Sequence, residues 1–184
     1  MIEIKPKLYI RPARSSDLGT LVELYMRYLR DLSVYDSDIP DTDTEKRRHA
    51  KELLIEYAED HSIVIYAIML EREMIGFFVA GNHPESYSFD DVYIIQFFID
   101  KMYQRQGYGT KVIKLFTESS DFCHITDDIS LFVLDSNPAI LFWEKTMGNL
   151  GYTDLVTKGA IIPPEMDSSV RFCYFSPCVD TPHT

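Results

Sequence analysis

Cysteine is scarce. Cys123, Cys173 and Cys178 are an odd, widely spaced set with no Cys-x-x-Cys pair and no histidine at ligand spacing, which excludes a disulfide framework and a structural zinc site and leaves no metal expected. Positive charge is also short: 18 Lys and Arg stand against 29 Asp and Glu, for a net charge of −11. That balance argues against general nucleic-acid binding, which needs cationic surface to displace counterions, and favours cationic partners. Long apolar runs are missing too. No stretch reaches the roughly 20 residues that span a bilayer, and the opening MIEIKPKLYIRPAR has no signal-peptide core. A cytoplasmic protein with no membrane partner is expected, without internal repeats, low-complexity tracts or linkers.

What is present is enough apolar material for one good core. Hydrophobic residues make up 46% and aromatics 13% of 184 residues, so a single folded domain over 1–176 is expected, with 177–184 as a loose tail. The most informative stretch is IDKMYQRQGYGTKVIKLF, Ile99 to Phe116. It follows the apolar run VYIIQFFI, Val92 to Ile99, and continues with Val112, Ile113 and Phe116 at helical spacing. Strand, tight glycine loop and helix are expected in that order.

Gly107 and Gly109 let a backbone turn sharply and let a ligand approach its N–H groups. Such donors at a helix start make a seat for an anion, typically a phosphate. Lys101 to Lys114 holds Lys101, Arg105, Lys111 and Lys114 with no acid among them, in agreement with that reading. A dinucleotide fingerprint fits poorly, because its third glycine position is Val112. A Walker loop fits poorly as well, because Gly109 is followed by Thr110 and then Lys111.

Gln104-x-x-Gly107-x-Gly109 resembles the acyl-coenzyme A pyrophosphate loop of the GNAT superfamily of N-acetyltransferases. A second stretch, Asn137-Pro138-Ala139 followed by Phe142-Trp143-Glu144-Lys145 and Gly151-Tyr152, resembles that family's later signature. The opening Ile10-Arg11-Pro12-Ala13, then Asp17-Leu18 and an amphipathic helix carrying Leu21, Val22, Tyr25 and Leu29, is similar to the start of many such chains. Together these place roughly residues 8 to 175 on the family pattern.

The resemblance implies an α/β (α+β) fold, a mixed and mostly antiparallel sheet of about 6–7 strands flanked by about four helices. It implies acetyl-CoA as cosubstrate. Gln104, Arg105, Gln106, Gly107, Tyr108, Gly109 and Thr110 would hold the pyrophosphate, Phe97, Phe98 and Ile99 would offer backbone groups to the pantetheine arm, and Asn137, Phe142 and Trp143 would lie near the pantetheine or adenine. The catalytic pair departs from the family pattern. Inward positions on the fourth strand include Tyr93 and Ile95 rather than an acid, and the usual tyrosine acid aligns with Trp143. Tyr93, Tyr108 and Tyr152 are candidate substitutes for that acid, Gln96 is a catalytic candidate that orients water, and Asp90 and Asp91 stand farther off at the start of the strand.

Asp31 to Glu45 carries six acids and no base. Its charge reads as a solvated loop; the resemblance implies instead that it borders the acceptor site, where Asp36, Asp38, Asp41 and Asp43 would form an acidic lip for a small amine, a polyamine or aminoglycoside. The loop Val156 to Ser169 reads as a passive connector, or, as the resemblance implies, as a cover for the acceptor. A homodimer stays open, as does a CoA-binding module without catalysis.

Overall fold

The computed structural model describes residues 6–82, 91–119, 128–159 and 169–178. Asp90, Cys123, most of the loop between Val156 and Ser169, and most of the tail lie outside them. Four α-helices and seven strands occur among the described residues. They fall into two compact units, Met1–Gly81 with Ile95–Phe116, and Asn82–Ile94 with Thr117–Thr184.

The first unit begins with β1 (Leu8–Pro12), which Pro12 ends. Asp17 then opens the way to α1 (Leu18–Leu32): its carboxylate takes Arg11 at 2.7 and 3.0 Å and the Arg14 N–H at 2.7 Å. Leu21, Val22, Tyr25 and Leu29 recur at three- and four-residue steps and are all buried, the stripe expected of a helix with one apolar face. Thr42 caps α2 (Asp43–Glu59), accepting the Glu45 N–H at 3.2 Å and donating to the Glu45 carboxylate at 2.7 Å. Next comes the hairpin of β2 (Ile63–Leu70) and β3 (Glu73–Asn82), antiparallel as the β-rich runs predict. Glu71 turns it with a φ of 55°.

Successive residues of β3 serve opposite faces. Phe77 stacks on Tyr25 of α1 at 5.3 Å between ring centroids, whereas Phe78 meets Phe116 of α3 (Tyr108–Thr117) edge-on at 5.0 Å. Helices α1 and α2 therefore cover one side and α3 the other. The last part of β4 (Val92–Ile99) lies against β3 at closest range at Gly76, where an added Cβ would stand 2.2 Å from the Phe98 carbonyl oxygen.

In the second unit the start of β4 runs parallel to β5 (Ile129–Leu134), with Val92 opposite Ile129 and Ile94 opposite Leu131. After α4 (Ala139–Asn149) and the short β6 (Tyr152–Asp154), β7 (Val170–Pro177) pairs antiparallel with both β5 and β6. The strand order β1-β2-β3-β4-β5-β7-β6 is the mixed, mostly antiparallel seven-stranded sheet expected from the sequence. Among the described residues no helix is long and apolar enough to cross a membrane.

Candidate active site

The loop between β4 and α3 is built from chain reversals that glycine and local hydrogen bonds enforce. Asp100 donates its N–H to the Ile75 carbonyl at 2.8 Å and accepts the Tyr103 N–H at 2.8 Å. A short 3-10 turn, Lys101–Tyr103, follows. Arg105 and Gly107 then take positive φ, 59° and 78°, and alternation of this kind turns successive N–H groups towards a common concave side. Among the described residues the N–H groups of Arg105, Gln106, Gly107, Tyr108 and Gly109 give no hydrogen bond, and the loop is largely exposed. Those five donors at the positive end of α3 can hold an oxyanion pair. Lys111 stands 5.5 Å from the Tyr108 ring centre, at the same end of the helix.

Two expected roles shift. The side chain of Gln104 turns back to donate to the Ile99 carbonyl at 2.7 Å, so this residue also clamps the loop and occupies one of the backbone acceptors assigned to pantetheine. Lys101 pairs with Asp31 at 2.5 Å, which diverts its charge from the anion seat. Phe98 and Ile99 are buried and Phe97 half-buried. The parallel pairing of β4 with β5 covers Val92 to Ile94, so these three lie past its end.

Gln96 is held more tightly than the sequence suggests. Its Nε2 donates to the Tyr25 hydroxyl and, at 3.3 Å, to the Tyr57 hydroxyl, while its buried Oε1 has no partner among the described residues. Burial, above all, lifts the Tyr25 phenol far beyond its ordinary pKa, so it stays protonated and cannot serve as a base. Tyr25 and Tyr57 are the partners that sequence reasoning missed; both lie on the apolar stripes of α1 and α2, where a hydroxyl looks like one more core ring.

At the start of α2, Asp43 pairs with Arg30 at 2.7 and 3.1 Å. Asp36 accepts the Asp38 N–H at 2.9 Å, and the Asp41 carbonyl takes Lys46 Nζ at 2.8 Å. Burial, then the charge of Asp36, pushes the Tyr28 phenol up to about 12.

The remaining candidates belong to the second unit. Tyr93 meets Phe132 edge-on at 5.5 Å. Asn137 Oδ1 accepts the Ala139 N–H at 2.9 Å, just before α4, whose N-cap is Pro138. Trp143 is buried at 5% exposure, edge-on to Phe142 at 5.2 Å, with Phe142 half-buried. Tyr152 lines a cavity of about 320 Å³ together with Glu144, Asp154, Lys158 and Phe175. Among the described residues no cluster could hold a metal ion.

Residues 22–148 match the family model described as Acetyltransferase (GNAT) family. Among solved structures, the PaiA N-acetyltransferase from Thermoplasma acidophilum, in complex with coenzyme A, is similar with a TM-score of 0.61 and 14% identity, over 91% of this chain and 98% of that one. A spermidine N-acetyltransferase from Vibrio cholerae, in complex with CoA and spermine, gives 0.60 and 17% over 91% and 94%. A ribosomal L7/L12 alpha-N-protein acetyltransferase in complex with coenzyme A gives 0.60 and 16% over 94% and 96%. No curated protein sequence matches.

Proposed function

The chain belongs to the GNAT acetyltransferase family, and from that premise we propose that it transfers the acetyl group of acetyl-CoA directly to a primary amine, within a ternary complex, the amine being small and cationic. The observation that carries the reading is the row of five N–H groups from Arg105 to Gly109 at the head of α3, none of which gives a hydrogen bond among the described residues. Their number and their common end of the helix fit a diphosphate. When bound, acetyl-CoA supplies the thioester that carries the acetyl group. The Arg105–Gly109 amides hold the diphosphate, Arg105 and Lys111 add charge, and the backbone past Ile94 orients the arm. Fixing both reactants in this way lowers a barrier by up to about 7–11 kcal/mol in favourable cases.

An alkyl amine with a pKa of about 10.4 arrives mostly protonated at neutral pH. Asp36, Asp38 and Asp41 attract it, while Asp43 is engaged by Arg30. Replacing Asp36, Asp38 and Asp41 together by asparagine is expected to raise the acceptor KM about tenfold at low salt, less as ionic strength screens the lip, and to leave the acetyl-CoA KM unchanged. Steady-state kinetics with spermidine at two salt concentrations checks this. The spermidine N-acetyltransferase among the similar structures supports the choice of probe.

A second reading has its own observation. Gln96 is tied to two tyrosines and Trp143 lies in the core, so neither offers a base or an acid. That favours a CoA-binding module without turnover, and leaves Tyr93 and Tyr152 to move the protons if turnover occurs. Assaying acetyl-CoA consumption with a panel of polyamines, aminoglycosides and peptide amines separates the two: tight binding without turnover on any of them supports the module.

A further inference from the structure

Helix α1 carries two oppositely charged side chains one turn apart, Arg27 and Asp31, and each grips the segment that follows β4. Arg27 Nη1 is ion-paired with Asp100 Oδ2, on a side chain only 11% exposed, and Asp31 Oδ1 lies 2.5 Å from Lys101 Nζ. Polarity is reversed between the two pairs, so a slip of α1 by one turn along the segment would oppose like charges. Asp100 passes the constraint on. Its Oδ1 accepts the Met102 N–H at 3.4 Å, Gln106 Nε2 donates to the Met102 carbonyl at 2.8 Å, and Gln104 Nε2 donates to the Ile99 carbonyl at 2.7 Å. Arg105 is thereby held between two fastened residues at a φ of 59°, a conformation that a residue with a Cβ seldom keeps unless its flanks impose it.

We propose that Arg27 and Asp31 are positioning residues for acetyl-CoA: acting through Asp100 and Lys101, they set the backbone from Ile99 to Gln104 so that the five amides from Arg105 to Gly109 converge on one diphosphate. The inference rests on the reading of that loop given above. It touches no reacting atom, so its signature is in cosubstrate affinity.

Calorimetric titration of acetyl-CoA into the full chain tests it, alongside the acceptor KM. Arg27→Ala is expected to raise the acetyl-CoA Kd about tenfold and Asp31→Ala about threefold, the smaller change falling on the more exposed pair. Arg27→Lys keeps the charge and recovers most of the affinity. Asp31→Lys alone is worse than Asp31→Ala, and adding Lys101→Asp returns the Kd to within about twofold of wild type, because the reversed pair restores the contact. The acceptor KM, read at a salt concentration that screens the acidic loop, stays unchanged throughout. Wild-type binding with Arg27→Ala and Asp31→Lys both within twofold of it overturns the proposal, as does a loss that falls equally on melting temperature and acceptor KM without a change in Kd. A wild-type chain with no measurable acetyl-CoA affinity removes the transferase reading itself and this inference with it, a result distinct from the other two.

Discussion

Replacing Gly76 by alanine is expected to destabilise the protein by about 3 kcal/mol or more, at the upper end of what overpacking a core costs. The added Cβ would stand 2.2 Å from the Phe98 carbonyl oxygen and 3.0 Å from the Ile99 Cα. Both are backbone atoms, so no rotamer change relieves the clash, and the end of β4 has to move away from β3. The displaced residues lead straight into Asp100 and the glycine loop, so acetyl-CoA affinity falls with stability. Gly148→Ala is the control. Its Cβ would meet nothing within 4 Å, and in α4 alanine is the better helix former by about 1 kcal/mol. Urea denaturation of the two variants should therefore move the midpoint in opposite directions. A Gly76→Ala midpoint within error of wild type would mean that β3 and β4 are farther apart than described.

The strand, glycine loop and helix were legible because their causes are local. Gly107 needs its positive φ, Thr42 and Glu45 sit three apart as a capping pair, and Val112, Ile113 and Phe116 follow one helical stripe. Partners distant in sequence were not legible. Gln96 and Tyr25 are 71 residues apart, and Arg27 and Asp100 are 73 apart; periodicity reports only which face a residue occupies, never what lies across from it. The same blindness made Lys101 look like part of an anion seat and Asp43 like part of an acidic lip, when Asp31 and Arg30 engage them. Trp143 shows a further limit, since an aromatic at helical spacing reads alike whether it packs in a core or against a ligand. Strand order is similar. Nothing in the pattern of Val170–Pro177 announces that it enters between β5 and β6.

Valine at position 107 is expected to weaken acetyl-CoA binding on the order of 100-fold. Gly107 has a φ of 78°, and its Cβ direction is open, with nothing but its chain neighbours within 4 Å among the described residues. Two effects follow from those two facts. The left-handed conformation costs a residue with a Cβ about 1–2 kcal/mol, and more for a β-branched one, so the loop relaxes and its amides lose their common aim. The open space is also where a ligand must approach the Gly107 and Tyr108 N–H groups, and a valine side chain stands in it. Charge-assisted hydrogen bonds contribute about 1.5–3 kcal/mol each, so loss of one or two corresponds to roughly the stated factor. Gly107→Asn divides the two effects. Asparagine tolerates positive φ, so it keeps the stability of the parent while still obstructing the ligand. Calorimetry with acetyl-CoA, paired with thermal melts, reads both quantities. Should Gly107→Val melt lower yet bind acetyl-CoA as tightly as wild type, the diphosphate is not held by these amides.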